Sequence, residues 1–233
     1  LEFREEIRKI INAYFKIAEI LKKEDPSFNF GRNLESAWIT NLSTAKILKI
    51  LKNFSEDLYL GIDVAATSFY DLKKNAYNLE KEGLELNRVE YLAYLYDLIK
   101  DYGVFYIEDP FYEEDFVSFS TLLSHFPQKL IVGDDLTATN LERLKKAVEI
   151  KAINAMIIKP NQAGLVSRVA KVVKFAKKND IKLVFSHRSG ETEDPVISHL
   201  AVGFGADYLK VGIAGERTIK INEILRIEEK MLG

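Results

Sequence analysis

The 233-residue chain carries 33 basic and 35 acidic side chains, so its formal net charge of -2 supplies no overall field that would favour nucleic acid or an anionic membrane. It has no cysteine, which excludes disulfides and thiolate metal sites, and its 47% hydrophobic content can bury one sizeable core. No apolar stretch approaches the roughly 20 residues that a membrane span needs. We therefore expect a cytoplasmic protein with no nucleic-acid or membrane partner.

Two helices are predicted at the start of the chain. Apolar residues at helical spacing predict the first helix over residues 4–24, and Asp25-Pro26 ends it. The second helix is predicted from Asn41, with Ser43 or Thr44 as its N-cap.

Six short apolar runs follow, and each run ends in a polar or charged residue. Short runs rich in valine, isoleucine and aromatic residues predict strands. They end at Asp63, Glu108, Asp134, Lys159, His187 and Lys210. Amphipathic segments predict helices over 87–102, 116–125, 140–149, 165–178 and 193–204, and a last helix from Arg217 to Met231.

This alternation of strands and helices predicts a parallel α/β sheet, either open or closed into a barrel. In a barrel the carboxyl ends of all strands converge on one mouth, so the six polar ends would form one site. An open sheet usually carries a Gly-rich phosphate turn after its first strand, and this sequence has none. We therefore predict a barrel, as a single domain over residues 1–233.

Three consecutive predicted strands end in the carboxylates of Asp63, Glu108 and Asp134. Three hard oxygen donors at one mouth are the ligands that Mg²⁺ prefers. The alternative is that each carboxylate faces solvent or caps a helix. Because three acids in succession close otherwise apolar runs, we favour the metal site.

Lys159 and Lys210 end two further apolar strands, where a lysine is unexpected unless it is paired or functional. Nearby positive charge lowers the pKa of a lysine and lets it serve as a base. The alternative is that these lysines only balance the carboxylates, and composition alone leaves both interpretations open.

The segment His187-Arg188-Ser189-Gly190 follows a predicted strand and precedes a helix whose amino terminus is rich in acid. An arginine, a hydroxyl and a loop glycine together suit a phosphate or a carboxylate. The alternative is an ordinary N-terminal cap, with Glu191, Glu193 and Asp194 favourable to the helix dipole.

Six segments of this chain resemble the signature segments of the enolase family, in the same order and at nearly the same spacing. They are GIDVAATSFY, YIEDPF, VGDDLTATN, IIKPNQAG, SHRSGETED and LKVGIAGER, and the likeness runs from about residue 3 to the end. The resemblance implies an enolase-type TIM-like barrel of parallel βα units, Mg²⁺ as cofactor, and the dehydration of 2-phosphoglycerate to phosphoenolpyruvate. It also implies a homo-oligomer.

The resemblance further implies a role for each candidate residue. The three strand-end acids, Asp63, Glu108 and Asp134, would bind the Mg²⁺, and Lys159 would remove the proton α to the substrate carboxylate. Lys210 would hold that carboxylate from the other side. The remaining implied substrate-binding residues are His187, Arg188, Ser189 and Gln162.

The sequence departs from the family at the general acid. The family supplies a glutamate from a GDEGG loop, and the matching stretch here contains Asn33, which cannot donate a proton as a carboxylic acid does. Glu35, two residues later, could replace it. We therefore place Glu35 among the candidate catalytic residues.

The sequence also departs from the family at its start, where the amino-terminal domain and the first barrel strands are expected to be missing. Glu2-Phe3 could be a remnant of a family strand that carries an acid. Only six clear strands are predicted, whereas an enolase barrel has eight, and Phe28-Asn29-Phe30 could supply one more.

Three functional hypotheses follow. The first, which we prefer, is a working enolase or a closely related lyase with a shifted acid. The second is a catalytically impaired paralogue that binds metal and a phosphorylated acid as a binding or interaction module, which Asn33 favours. The third, a lyase that abstracts an α proton from another substrate, is weaker because Arg188-Ser189 keep the phosphate-binding pattern.

Overall fold

The computed structural model describes residues 3–54 and 56–232, so Glu2 of the predicted Glu2-Phe3 remnant lies outside the described residues. The chain divides into two compact units, which we call the central unit (Tyr59–Leu183) and the terminal unit (Leu1–Leu58 with Val184–Gly233). The single domain over 1–233 stays a prediction. Within the described ranges, no helix is both long enough and apolar enough to cross a membrane.

Helices and short strands alternate along most of the chain. The helices are α1 (Phe3–Glu24), α2 (Thr44–Lys52), α3 (Arg88–Tyr102), α4 (Phe116–His125), α5 (Leu141–Glu149), α6 (Pro160–Ala163), α7 (Val166–Lys178), α8 (Val196–Gly203) and α9 (Thr218–Leu232). The strands are β1 (Gly61–Asp63), β2 (Tyr70–Asp71), β3 (Ala76–Leu79), β4 (Leu84–Asn87), β5 (Tyr106–Glu108), β6 (Leu130–Gly133), β7 (Ala155–Ile158), β8 (Lys182–Ser186) and β9 (Tyr208–Lys210). Two 3₁₀ turns lie at Ala66–Phe69 and Gly215–Arg217.

The predicted strand ends and helices are confirmed to within three residues. α2 begins at Thr44 with Ser43 as its N-cap, although the Ser43 side chain makes no capping hydrogen bond. The prediction was accurate because each predicted run is almost continuously apolar, so the polar residue that follows marks the end of the strand.

Four parallel strands form the framework of the central unit, in the order β1, β5, β6, β7. Every residue of β6 and β7 is buried, since the helices that connect parallel strands cover the faces of the sheet. Asn87 begins α3 with a capping box that it shares with Glu90, and Gly103 ends the helix in the left-handed conformation. The framework thus fixes where each strand ends.

The central unit also contains a small antiparallel sheet, β2–β3–β4, which the sequence analysis did not predict. Its strands are two to four residues long, and the turn that joins β3 to β4 carries Gly83 at φ +67. It fills the long interval between the strand ends at Asp63 and Glu108.

The terminal unit contains the parallel pair β8–β9, with Ser186 beside Lys210, and the boundary between the two units falls within β8. Helix α9 packs against α1 and α8. Phe28 belongs to a buried cluster with Ala18, Leu21 and Leu42. The strand predicted at Phe28-Asn29-Phe30 is wrong, because these residues are irregular and Phe30 turns the chain at φ +62.

Candidate functional site

Two of the three predicted metal ligands stand side by side in the central unit. Asp63 and Glu108 end β1 and β5, and the register of this parallel pair places them directly opposite each other. Asp134 comes immediately after β6, the next strand of the sheet. Because neighbouring parallel strands end at the same edge, the backbone brings the three acids to one edge of the sheet.

Asp134 is the acid whose environment indicates a cation most directly. It is 8% exposed, and its Oδ2 forms an ion pair with the Nζ of Lys159. Its Oδ1 is buried and accepts no hydrogen bond from the part of the chain that the structure describes. A buried carboxylate oxygen without a partner is costly, so the donor chemistry of this edge fits a divalent cation.

Asp109 holds the backbone of Asp134 and Asp135 through two hydrogen bonds. Its Oδ1 accepts a hydrogen bond from the Asp134 N–H at 2.9 Å, and its Oδ2 accepts one from the Asp135 N–H at 2.7 Å. Asp109 itself has a φ of +40, and burial raises the pKa of its carboxyl group to about 8. The position of Asp134 therefore depends on a neighbour that the sequence analysis did not identify.

A second grouping of acids shares only Asp134 with the predicted set. Oxygen atoms of Asp109, Asp134 and Asp135 lie within 4.8 Å of one another. Since Asp109 already accepts two backbone hydrogen bonds, we regard its oxygens as a support for Asp134.

Tyr106 holds the carboxylate of Glu108, which is fully buried. The two residues lie two apart on β5 and therefore on one face, and the Tyr106 hydroxyl donates to Glu108 Oε2 at 2.6 Å. Burial, with a smaller contribution from the Glu108 charge, raises the pKa of Tyr106 well above its usual value. The hydroxyl therefore remains a donor to this carboxylate.

Thr139 connects two candidate residues in the turn after β6. Its hydroxyl donates to Gln162 Oε1 at 2.8 Å and accepts from the Lys159 N–H at 2.9 Å. Thr139 and the preceding Ala138 have φ values of +50 and +45, which is strained for residues with a side chain. The strained turn thus fixes the backbone of Lys159.

In the terminal unit, three predicted residues lie together. The Ser189 hydroxyl donates to Glu35 Oε1 at 2.8 Å, and the other carboxylate oxygen of Glu35 lies 3.9 Å from His187 Nε2. Asn33 has no such role, since its side-chain oxygen accepts hydrogen bonds from the backbone of Glu35 and Ala37. The acid that meets the predicted phosphate loop is therefore Glu35.

His187 is buried and neutral in this setting. Desolvation lowers the pKa of its imidazole to about 4, although the Glu35 carboxylate acts in the opposite direction and Arg217 reinforces the lowering. Its backbone N–H donates to the Lys210 carbonyl at 3.1 Å, which fixes the residue at the end of the β8–β9 pair. The Arg188 N–H donates to Glu191 Oε2 at 3.2 Å, within the same loop.

The structure thus divides the candidates into two sets. The central unit contains Asp63, Glu108, Asp134, Lys159 and Gln162, and the terminal unit contains Glu35, His187, Arg188, Ser189 and Lys210. Four further residues support them and were not predicted from the sequence: Tyr106, Asp109, Thr139 and Arg217. Of these four only Tyr106 lies within a strand, and the roles of all four depend on how the chain folds.

The chain is similar to known proteins over nearly its whole length. A family described as "Enolase, C-terminal TIM barrel domain" matches residues 2–233, which confirms the predicted fold class. Proteins named enolase in Pyrobaculum aerophilum, Methanosphaera stadtmanae and Picrophilus torridus are each 41% identical to this chain over 226, 239 and 227 residues. These alignments cover 93, 98 and 93% of the chain but only 54, 58 and 56% of the relatives, so the chain spans little more than half their length.

Proposed function

The chain belongs to the enolase family, within its C-terminal TIM barrel domain, and we propose that it carries out the Mg²⁺-dependent dehydration of 2-phosphoglycerate to phosphoenolpyruvate. The observation that carries this proposal is the Asp134–Lys159 ion pair at the ends of β6 and β7, with Asp134 Oδ1 buried and unpartnered among the described residues. A lysine beside a carboxylate that could hold a metal lies where a base for α-proton abstraction would be needed.

The central unit would bind the carboxylate end of the substrate. Asp63, Glu108 and Asp134 would hold Mg²⁺, which when bound stabilises the negative charge that develops on the substrate carboxylate. Lys159 would take the α proton on Nζ. It can do so only as a neutral amine, so its ion pair with Asp134 must be broken before the proton moves.

The terminal unit would supply the groups for the phosphate and the leaving hydroxide, and one further group for the carboxylate. Arg188 and Ser189 would bind the phosphate, His187 would line the pocket, and Lys210 would hold the substrate carboxylate. Glu35 would donate a proton to the hydroxide, and the Ser189 hydroxyl and His187 support this assignment because both lie beside its carboxylate. Gln162 is held by Thr139 and would contact the substrate.

The test is the appearance of phosphoenolpyruvate absorbance from 2-phosphoglycerate with excess Mg²⁺, for the chain and for Lys159→Ala. We expect turnover by the chain and a loss of about 10³-fold in kcat for the variant, which is the usual scale of a general base. The matched control is Lys129→Ala, because Lys129 is a partly buried lysine of the same unit whose Nζ donates to the Val104 carbonyl at 2.6 Å. Equal turnover by wild type and Lys159→Ala would refute the proposed role.

A second function is favoured by one observation, the use of the Asn33 side chain as a turn acceptor for Glu35 and Ala37. A chain whose family acid has become a structural residue could bind metal and a phosphorylated acid without turning it over. Calorimetry separates the two functions. Mg²⁺-dependent binding of 2-phosphoglycerate without phosphoenolpyruvate formation would support the binding module.

We propose that the protein acts in the cytoplasm as a homo-oligomer, with a small phosphorylated acid as its substrate and neither nucleic acid nor membrane as a partner. The near-zero net charge and the lack of cysteine support this environment. Sedimentation of the chain at several concentrations tests the oligomer, and a single monomeric species throughout would contradict it.

A further inference from the structure

Arg217 is a fully buried arginine, at 0% exposure, in the terminal unit. It ends the 3₁₀ turn Gly215–Arg217, immediately before α9, and forms an ion pair with the neighbouring Glu216. An arginine is almost never fully buried unless its donors are satisfied, so the partners of this guanidinium indicate what it does.

Three further hydrogen bonds of Arg217 go to the loop that follows β8. Its Nε donates to His187 Nδ1 at 2.9 Å, and one terminal nitrogen donates to the carbonyls of Ser189 and Arg188 at 2.6 and 3.1 Å. One planar side chain therefore holds three consecutive residues of the loop. A guanidinium is suited to this task because its donors are fixed in one plane.

The contact with His187 also decides which imidazole nitrogen carries the proton. A guanidinium has donors only, so Nδ1 must act as an acceptor and the proton of the neutral ring lies on Nε2. Nε2 is the nitrogen that faces Glu35, at 3.9 Å from its Oε2. By donating to Nδ1, Arg217 thus makes Nε2 the hydrogen-bond donor of the His187 ring.

The backbone around Arg217 leaves room for it. A Cβ atom at Gly212 would lie 2.6 Å from Arg217 Cδ and 2.9 Å from the Glu35 carbonyl oxygen. Only glycine lets the three segments approach this closely. The close packing of Gly212 against the Arg217 side chain and the Glu35 backbone therefore helps to fix the position of the guanidinium.

We propose that Arg217 is a positioning residue that holds residues 187–189 in the geometry that binds phosphate and keeps the His187 proton on Nε2. The proposal rests on the proposed function in one respect, since it takes this loop to be the phosphate-binding loop. Arg217 itself contacts the loop through backbone carbonyls and Nδ1, and the phosphate would be bound by Arg188 and Ser189.

The competing explanation is that Arg217 is only a buried cation needed for stability. Asp25 supplies a control, because it is also a buried charged residue of the terminal unit, at 4% exposure, and its carboxylate accepts from Ser27, Thr40 and Asn41. These hydrogen bonds do not involve residues 187–189. Asp25→Asn should therefore reproduce a purely structural loss.

The first measurement uses the unmodified chain and does not depend on a variant that folds. Nitrogen-15 NMR of the His187 side chain should give an unprotonated signal for Nδ1 and a protonated signal for Nε2. A proton on Nδ1 would overturn the proposal, since Arg217 could not then donate to that atom.

The second measurement compares Arg217→Lys with Asp25→Asn in the full chain, and its probe is inorganic phosphate followed by phosphorus-31 NMR. Loss of several charge-assisted hydrogen bonds should weaken phosphate binding about 10- to 100-fold in Arg217→Lys and less than about threefold in Asp25→Asn. Equal weakening in the two variants, or no phosphate binding by the wild-type chain, would overturn the proposal. Because the probe is not turned over, a chain that binds phosphate in this way without dehydrating 2-phosphoglycerate would contradict only the proposed function.

Discussion

The central and terminal units build their candidate groups in opposite ways. In the central unit the acids sit at strand ends, where the ladder of a parallel sheet fixes their spacing, and Asp109 and Tyr106 hold two of them in place. In the terminal unit His187, Arg188 and Ser189 lie on a loop that Arg217 holds through an imidazole nitrogen and two backbone carbonyls. The register of the sheet therefore fixes where the strand-end acids lie. The loop has no such ladder, and the buried guanidinium of Arg217 fixes its backbone instead.

If this comparison is right, a support residue in the central unit should affect metal binding more than folding. The largest effect is expected for Asp109→Asn, because an amide has only one acceptor oxygen and must present NH₂ to one of the two N–H groups it now serves. Mg²⁺ affinity should be measured by calorimetry without substrate at pH 9, where Asp109 is ionised because its pKa is about 8, and we expect it to fall about 10- to 100-fold.

The control for Asp109→Asn is Asp115→Asn, an isosteric change in the same unit at the N-cap of α4, where the carboxylate accepts from the Ser118 N–H. It should lower stability and leave Mg²⁺ affinity within about twofold. Similar losses of affinity in both variants would show that Asp109 acts through general stability.

In the terminal unit a comparable change should affect stability. Asp25 accepts hydrogen bonds from Ser27 and Thr40 side chains and from the backbone of Ser27 and Asn41, and these hold the pKa of its carboxyl well below the usual range. Asp25→Asn presents NH₂ to one hydroxyl and one backbone N–H, and that N–H then has no acceptor, so the melting temperature should fall by roughly 4–8 °C at pH 7.

The Asp25 contribution also has a defined pH dependence. A carboxylate with a lowered pKa stabilises the fold above the unfolded value of about 3.9, and that stability is lost as the pH falls below it. The difference in melting temperature between wild type and Asp25→Asn should therefore shrink between pH 5 and the lowest pH at which both remain folded. A constant difference would contradict this dependence.

A smaller effect on metal binding is expected for Tyr106→Phe, which removes one hydroxyl from Glu108. We expect Mg²⁺ affinity to fall about fivefold, as befits one hydrogen bond of about 1 kcal/mol. Tyr77→Phe is the control, because Tyr77 is a buried tyrosine of the same unit whose hydroxyl accepts from the Tyr112 N–H. The comparison would fail if the control weakened Mg²⁺ binding as much.

The smallest expected effect is a change in how steeply the free energy of unfolding varies with pH when His187 is replaced. His187 has a pKa of about 4 in the fold and about 6.5 when unfolded, so the native state binds fewer protons between these values and stability rises with pH across that window. In His187→Gln the free energy of unfolding, measured with urea, should rise less steeply between pH 4.5 and 6.5. An unchanged slope would show that His187 titrates normally.

Strand ends were the part of the site that the sequence could predict. Asp63, Glu108, Asp134 and Lys159 each close a short apolar run, and the structure puts every one at the last residue of a strand or directly after it. The helices are also predictable, because their apolar spacing is regular. Strands β2–β4 are too short and polar to leave a clear pattern in the sequence.

Contacts between distant parts of the chain were beyond the reach of such patterns. Glu35 and Ser189 are 154 positions apart, and Arg217 lies 30 positions from His187. Hydrogen bonds over such distances depend on how loops close, and no periodicity records them. The hydrogen bond from the Asp134 N–H to Asp109 joins two neighbouring loops. The sequence motif that contains Asp109 therefore does not indicate this role.

Gly61 limits which residues can occupy the position of Tyr106, the tyrosine that donates to Glu108. Gly61 lies opposite Tyr106 in the sheet, and a Cβ atom there would lie 3.3 Å from both Cβ and Cδ1 of that tyrosine. The Tyr106 side chain thus packs directly against the backbone of β1 at Gly61. The two positions should covary among relatives, with a side chain at position 61 found mainly where a smaller residue replaces the tyrosine.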